Sequence, residues 1–285
     1  MDGMTDKATD KKSVKIIIAA HKECDLPRDE IYLPLFVGAA GHRGEEGFEI
    51  PAGFTPDDTG DNISDKNPYY CELTGLYWAW KNLDEDYIGL AHYRRLWGRK
   101  GSKEAPFERV LTREGFERLI DEHRDMKVIV PKKRRYFIES LASHYEHTHN
   151  KAHLKTARDI ISERCPEYLD SCDRVFKQTW GYMFNMAIMD RDALDQYCRW
   201  LFPILDELPE RTETADLSAF DARFPGRVAE ILFNVWLDFS VNIGNISKRS
   251  IIEIDYFEAG SVNYLKKAGA FLRAKFTGRR YKNSF

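Results

Sequence analysis

The sequence predicts an α/β fold on a mainly parallel sheet, and three observations predict it. Val14–Lys22 (VKIIIAAHK) is a continuous apolar run rich in β-branched residues, as in a strand buried on both faces. Tyr87–Tyr93 (YIGLAHY) is a second such run, entered directly from a helical pattern. Short apolar runs then alternate with helical periods to the end of the chain, which is the signature of strands crossed over by helices.

Taken in order, residues 1–13 are polar and read as a disordered lead-in. The first strand ends in Ala19 and Ala20 before His21, small side chains that leave room for a ligand. Residues 41–66 are rich in Gly and Asp and lack a helical period, a long connection of the kind that often carries function. A helix is expected from Asn67, with Asn67 as cap and Pro68 in the first turn. Tyr69, Leu73, Leu76, Trp80 and Leu83 then recur at helical spacing. Residues 112–125 read as a helix, Lys127–Pro131 (KVIVP) as a strand followed by the basic Lys132–Arg135, and 138–163 as one long helical region. Trp180–Asp190 (WGYMFNMAIMD) reads as an apolar strand leading into a helix. A last helix over Gly226–Phe239 precedes a short strand at Ile251–Phe257.

The bulk numbers exclude several classes. A net charge of -3 gives no electrostatic footprint for nucleic acid. Five cysteines without a C-x-x-C pair argue against a disulfide framework or zinc knuckle and for a reducing compartment. No secretory signal opens the chain and no run approaches a membrane span, so the expected location is cytoplasmic or on the cytosolic face of a membrane. G-x-G-x-x-G, Walker A, G-x-S-x-G and H-E-x-x-H are all missing from the sequence, which disfavours dinucleotide oxidoreductases, P-loop enzymes, serine hydrolases and zincins.

The candidate chemistry centres on His92, Tyr93, Arg94 and Arg95. They follow a strand apolar enough to be central, at the edge where open α/β sheets bind ligands. Paired arginines there suit a phosphate or diphosphate; a solvated basic turn is the plainer alternative. Asp57–Ser64 (DDTGDNIS) is either an ordinary turn or a donor-binding loop whose Asp61 and Asn62 bond a base or ribose. Asp84–Asp86 precedes its strand and reads as a solvated turn. Asp190–Asp192 follows a strand, and either caps a helix or holds Mg²⁺ or Mn²⁺ between diphosphate oxygens. His144, His147, His149 and His153 complete no metal-ligand spacing. Glu230 lies at helical spacing from Arg223 and Arg227, as either a surface ion pair or a catalytic base. Residues 264–285 carry seven Lys or Arg and no acid beside Leu265, Ala268, Phe271, Leu272 and Phe276. That pattern fits an interfacial helix on anionic lipid, or a floppy basic tail.

Six segments carry a family resemblance: Ala19–Lys22 (AAHK), Asp57–Asn82 with its NPYYCELTGLYWAWKN, Asp86–Arg95 (DYIGLAHYRR), Phe184–Met189 (FNMAIM), Tyr197–Leu205 (YCRWLFPIL) and Arg223–Leu232 (RFPGRVAEIL). On these the chain resembles bacterial capsular and exopolysaccharide glycosyltransferases once catalogued only as a domain of unknown function, some of them galactofuranosyltransferases. The resemblance implies a GT-A-like domain, placed over 14–257 ahead of the basic helical extension over 258–285. It implies transfer of a sugar from a nucleotide-diphosphate donor to a lipid-linked glycan at the cytosolic membrane face, and the reading adopted here is galactofuranose or galactose from a UDP-sugar, by a peripheral protein on the inner face of the plasma membrane. In that reading Ala20, His21, Asp61 and Asn62 hold the nucleotide, and His92, Tyr93, Arg94 and Arg95 hold the diphosphate. Trp180 and Asn185 face the acceptor, and Glu230 is the first choice of base, with Asp190 second. HYRR stands about where GT-A enzymes carry a metal-binding D-x-D, so no cofactor is firmly implied and Mn²⁺ or Mg²⁺ is the alternative. Two rivals remain: a non-catalytic nucleotide-sugar or glycan-binding protein of the same fold, and a nucleotide-sugar hydrolase.

Overall fold

A computed structural model describes residues 11–101, 105–214 and 217–259. The strands are β1 (Val14–Ala20), β2 (Tyr32–Phe36), β3 (Thr55–Pro56), β4 (Tyr87–His92), β5 (Arg95–Trp97), β6 (Val128–Pro131), β7 (Arg134–Arg135), β8 (Trp180–Gly181), β9 (Ile188–Asp190), β10 (Ile251–Ile254) and β11 (Tyr256–Glu258). The helices are α1 (Asn67–Tyr70), α2 (Leu73–Asn82), α3 (Arg113–Glu122), α4 (Leu141–Thr148), α5 (Ala152–Arg164), α6 (Leu169–Lys177), α7 (Arg191–Glu210) and α8 (Phe224–Asn242).

The main sheet runs β10-β6-β9-β4-β1-β2-β3, with β4 at its centre. β1, β2, β3 and β4 are mutually parallel and β10 is parallel to β6, while β9 alone on this path runs the other way. This is the α/β, mostly parallel sheet that the strand pattern calls for, flanked by helices as the GT-A-like resemblance implies. β5 turns back from β4 through the His92–Arg95 pair and carries β11 beside it. β7 and β8 form a separate two-stranded ribbon.

Both faces of the sheet are covered, which explains the unbroken apolar runs. Alternate residues Ile17, Ala19, Ile88 and Leu90 pack with α2, α5, α7 and α8, whereas Val14, Ile16, Ile18 and Tyr87 pack with Phe116 of α3 and Trp97 of β5. Gly89 is required at the centre: a Cβ there would stand 2.6 Å from Cγ1 of Ile188 on β9.

Four expectations need correction. The strand at Ile251–Phe257 is two strands, β10 parallel to β6 and β11 antiparallel to β5. The helix from Asn67 is two helices, because Cys71 adopts φ 53°; Asn67 does not cap it but donates its amide to the Cys71 carbonyl and the Thr74 hydroxyl. The 138–163 helix is likewise interrupted, at residues 149–151 between α4 and α5. Trp180–Asp190 is not one strand. β8 and β9 belong to different sheets, and between them Phe184 (φ 74°) and Asn185 (φ 53°) are both left-handed. At the amino end, Ser13 gives its N–H and hydroxyl to Asp86, tying the close of the polar lead-in to the start of β4. The basic segment 264–285 lies outside the described residues.

Candidate active site

β4 delivers its last residues to the carboxyl edge of the parallel strands, beside the end of β1. The Tyr93 N–H donates to the Ala19 carbonyl, and the His21 ring meets the Tyr93 ring edge-on at 5.4 Å. The Arg94 guanidinium lies 5.3 Å from the same ring. His21, Tyr93 and Arg94 therefore meet at this edge, the candidate crevice, with Ala20 buried at the end of β1, next to His21 in sequence. Burial lowers the pKa of His21, and the charges of Lys22, Arg223 and Arg94 lower it further, so a cationic field surrounds a neutral imidazole. Arg223 thus joins the site from the turn that leads into α8.

The floor beyond is made by the left-handed pair on the β8–β9 connection. The His92 Nε2 is 2.7 Å from the Phe184 carbonyl, so the ring donates from that nitrogen. The Phe184 N–H donates to Glu230 at 2.9 Å. The Asn185 amide donates to Glu72 at 2.7 Å and to the Gly226 carbonyl at 3.0 Å. Two residues of irregular backbone thereby bind together the end of β4, the start of α2 and the first turns of α8. Left-handed backbone is tolerable for Asn and costly for Phe, of order 1–3 kcal/mol, and such strain clusters at functional sites.

Arg95 stacks its guanidinium 4.3 Å from the Phe184 ring and pairs with Glu258 of β11 at 3.6 Å. The Nε that faces Glu258 is itself buried. Burial raises the pKa of Glu230; the Phe184 N–H opposes this, Glu72 adds to it, and Arg95 and Arg134 oppose it. Burial also lowers the pKa of His92, against the opposing pull of Glu72 and the Phe184 carbonyl. A carboxyl whose pKa burial raises, with arginines close by, is a group that can take a proton beside an anion site.

Other expected residues lie elsewhere. Asp190 caps α7, accepting from the Ala193 N–H at 2.8 Å, and pairs in register with Tyr87 at the beginning of β4. Because β9 runs antiparallel, its carboxyl end is at the opposite edge of the sheet, about 16 Å from His92 along β4. Asp190 and Asp192 are therefore not at the crevice. Asp61 bonds Tyr77 and, through its backbone, Asn82 at the far end of α2, about 15 Å along that helix from Glu72. Asn62 closes on its own loop, donating to Gly60 and accepting from Ser64. Asp57 anchors this loop, buried under the Gly38 and Ala39 amides and the Ser64 and Thr74 hydroxyls. Trp180 sits on β8 opposite Arg135, with the Lys133 ammonium 4.4 Å over its ring. Glu230 is not a surface ion pair; Arg227, its neighbour in sequence, donates instead to the Phe220 carbonyl.

Glu72 and Arg134 escape sequence reading. Glu72 had one visible signal, because the amino end of a helix that feeds a central strand must lie at that strand's carboxyl edge. Arg134 lay within the basic run after Lys127–Pro131, but its approach to Glu230 depends on the β7–β8 ribbon. The polar groups at this edge are imidazole, phenol and guanidinium, with the carboxylates of Glu72 and Glu230 hydrogen-bonded to Asn185 and Phe184. Among the described residues no cluster of three His, Cys, Asp or Glu side chains could hold an ion. No described helix is long and apolar enough to cross a membrane.

Residues 15–241 match a family described as a domain of unknown function (DUF4422). A solved structure titled as the apo form of the bifunctional glycosyltransferase WbbM is similar over 88% of this chain, at 31% identity and a TM-score of 0.74. This chain spans 47% of that one, so it corresponds to about half of the larger protein. No curated protein matches the chain.

Proposed function

The chain belongs to the DUF4422 family, and from that premise and the crevice geometry we propose that it is a glycosyltransferase. The observation that carries the reading is a carboxyl of raised pKa, Glu230, within the field of Arg95 and Arg134, at the carboxyl end of the central strand where Arg94 lies against Tyr93 beside His21. The likeness to WbbM along most of the chain supports the same reaction class.

In the proposed reaction a nucleotide-diphosphate sugar lies with its diphosphate against Arg94 and Arg95 and its nucleotide toward Ala20 and His21. An acceptor hydroxyl attacks the anomeric carbon while the bond from that carbon to the diphosphate oxygen breaks. The electron pair leaves with the diphosphate, whose growing charge the guanidinium groups stabilise. The hydroxyl proton passes to Glu230, and a single displacement of this kind inverts the anomeric centre. Asn185, clamped between Glu72 and Gly226, shapes the acceptor side. Galactofuranose or galactose from UDP is the proposed donor, and a lipid-linked capsular or exopolysaccharide glycan the proposed acceptor.

The test is transfer from UDP-galactofuranose and UDP-galactose to a short lipid-linked glycan, with Arg94→Ala as the diagnostic variant. Arg94 is exposed, so its loss should leave folding intact and lower kcat about 10²-fold, by analogy with removing an oxyanion-stabilising donor. An unchanged kcat in a folded variant would make the arginine mere surface charge. Release of UDP without acceptor at the same rate would favour a hydrolase instead.

A further inference from the structure

β6 and β4 both run antiparallel to β9, so β6 leaves the sheet at the same edge as His92. The chain then forms β7 and reaches a turn whose two central residues are the most exposed large apolar pair described. Phe137 is 92% exposed and Ile138 69%. This exposure is built into the fold. The residues on either side, Tyr136 and Glu139, are buried. The Tyr136 N–H donates to Thr179, and its ring lies 4.4 Å from that of His144. The Glu139 carboxylate is held by His144 at 2.9 Å and His147 at 2.7 Å, and Ser140 caps α4 immediately after. Two anchored flanks thus push one Phe–Ile pair into solvent.

The flanks are cationic. Lys132, Arg134 and Arg135 are exposed just before the turn, and Lys133 is half-buried against Trp180. Lys132 and Lys133 are offset by Asp255 and Glu253, and Arg134 lies over the Tyr136 ring within the field of Glu230, which leaves Arg135 as the excess charge beside the apolar pair.

We propose that the 132–138 turn is a bilayer contact, with Phe137 and Ile138 entering the headgroup–acyl boundary and Arg135 meeting anionic lipid phosphates. An apolar tip with basic shoulders is the composition that such an interface selects. A glycan does not suit it, because an isoleucine offers no stacking face and no hydrogen bonds. The chain's own segment 264–285 does not suit it either, since seven Lys or Arg without an acid would be repelled by the arginines. The contact rests on the transferase reading only for its purpose: it would set the crevice edge against the membrane that holds a lipid-linked acceptor.

The experiment compares the full chain with Phe137→Ser/Ile138→Ser in co-sedimentation with phosphatidylglycerol–phosphatidylcholine vesicles. At about 0.15 M salt exposed charges are partly screened, so the apolar insertion is visible. The double variant should keep its melting temperature and bind about tenfold more weakly, reflecting the two apolar side chains lost to the interface. Ile243→Ser removes an exposed apolar side chain at the end of α8 and should bind as wild type. Transfer to a water-soluble acceptor should be unchanged in the double variant. Equal binding by the double variant and wild type would overturn the proposal, as would an equal loss in Ile243→Ser. Loss of soluble-acceptor transfer with normal sedimentation would instead assign the turn to the glycan. A wild-type chain that sediments but transfers no sugar would overturn the transferase reading while supporting the bilayer contact.

Discussion

Glu230 separates activity from stability at the level of a single residue. Its pKa is raised in the folded chain, so the fold favours the protonated carboxyl. The sign follows: stability from this group is greatest at low pH and declines as pH climbs from the unfolded value, about 4.3, through the higher folded one. Glu230→Gln keeps an oxygen to accept from the Phe184 N–H and removes the buried charge. The variant should therefore be at least as stable as wild type at pH 8, with the difference shrinking toward pH 4, as thermal melts across pH would show. Its transfer activity should be lost. In the wild-type chain the acid limb of kcat/KM should lie above the ordinary carboxylate range, because the base must be ionised to accept a proton. A fully active Glu230→Gln, together with an inactive Glu72→Gln, would move the base to the other carboxylate.

The decisive element is β9, three residues long and reversed against both neighbours. Its reversal sends Asp190 to the amino edge and leaves the crevice to be floored by the 182–187 connection that precedes it. The close pairing of β9 with β4 in turn demands a glycine: Gly89 faces Ile188 with no room for a methyl group. Gly89→Ala should destabilise by about 1–3 kcal/mol, the usual cost of overpacking a well-filled core. Urea unfolding is the measurement. A change below about 0.5 kcal/mol, the range of ordinary surface substitutions, would mean that Ile188 swings aside without strain.

Across the whole molecule, the sheet collects its charge at one edge. Arg94 and Arg95 arrive from β4 and β5, Arg134 from the ribbon and Arg223 from the approach to α8, while the acidic Asp190 and Asp192 lie at the other edge. A diphosphate leaving group can then be neutralised by guanidinium groups alone. We expect transfer to persist in excess EDTA. Complete loss restored by Mn²⁺ or Mg²⁺ would require ligands other than those described at this edge.

What the sequence determined by itself is what short-range pattern encodes. VKIIIAA and YIGLAH are strands because β-branched and aliphatic runs bury both faces of a sheet, and HYRR lies at the end of the second because the apolar run stops there. Glu230 was legible as a carboxylate on a helix, and His21 as the residue beyond two small alanines. The tertiary structure alone decided the direction of β9, the break at Cys71 and the left-handed turn at Phe184 and Asn185. It also decided that Asp61 stands by Asn82 rather than by His21, and that Glu72 and Arg134 belong to the crevice. These depend on pairings between residues tens to more than a hundred positions apart. Local periodicity carries no information about which strand a short segment will meet or in which direction.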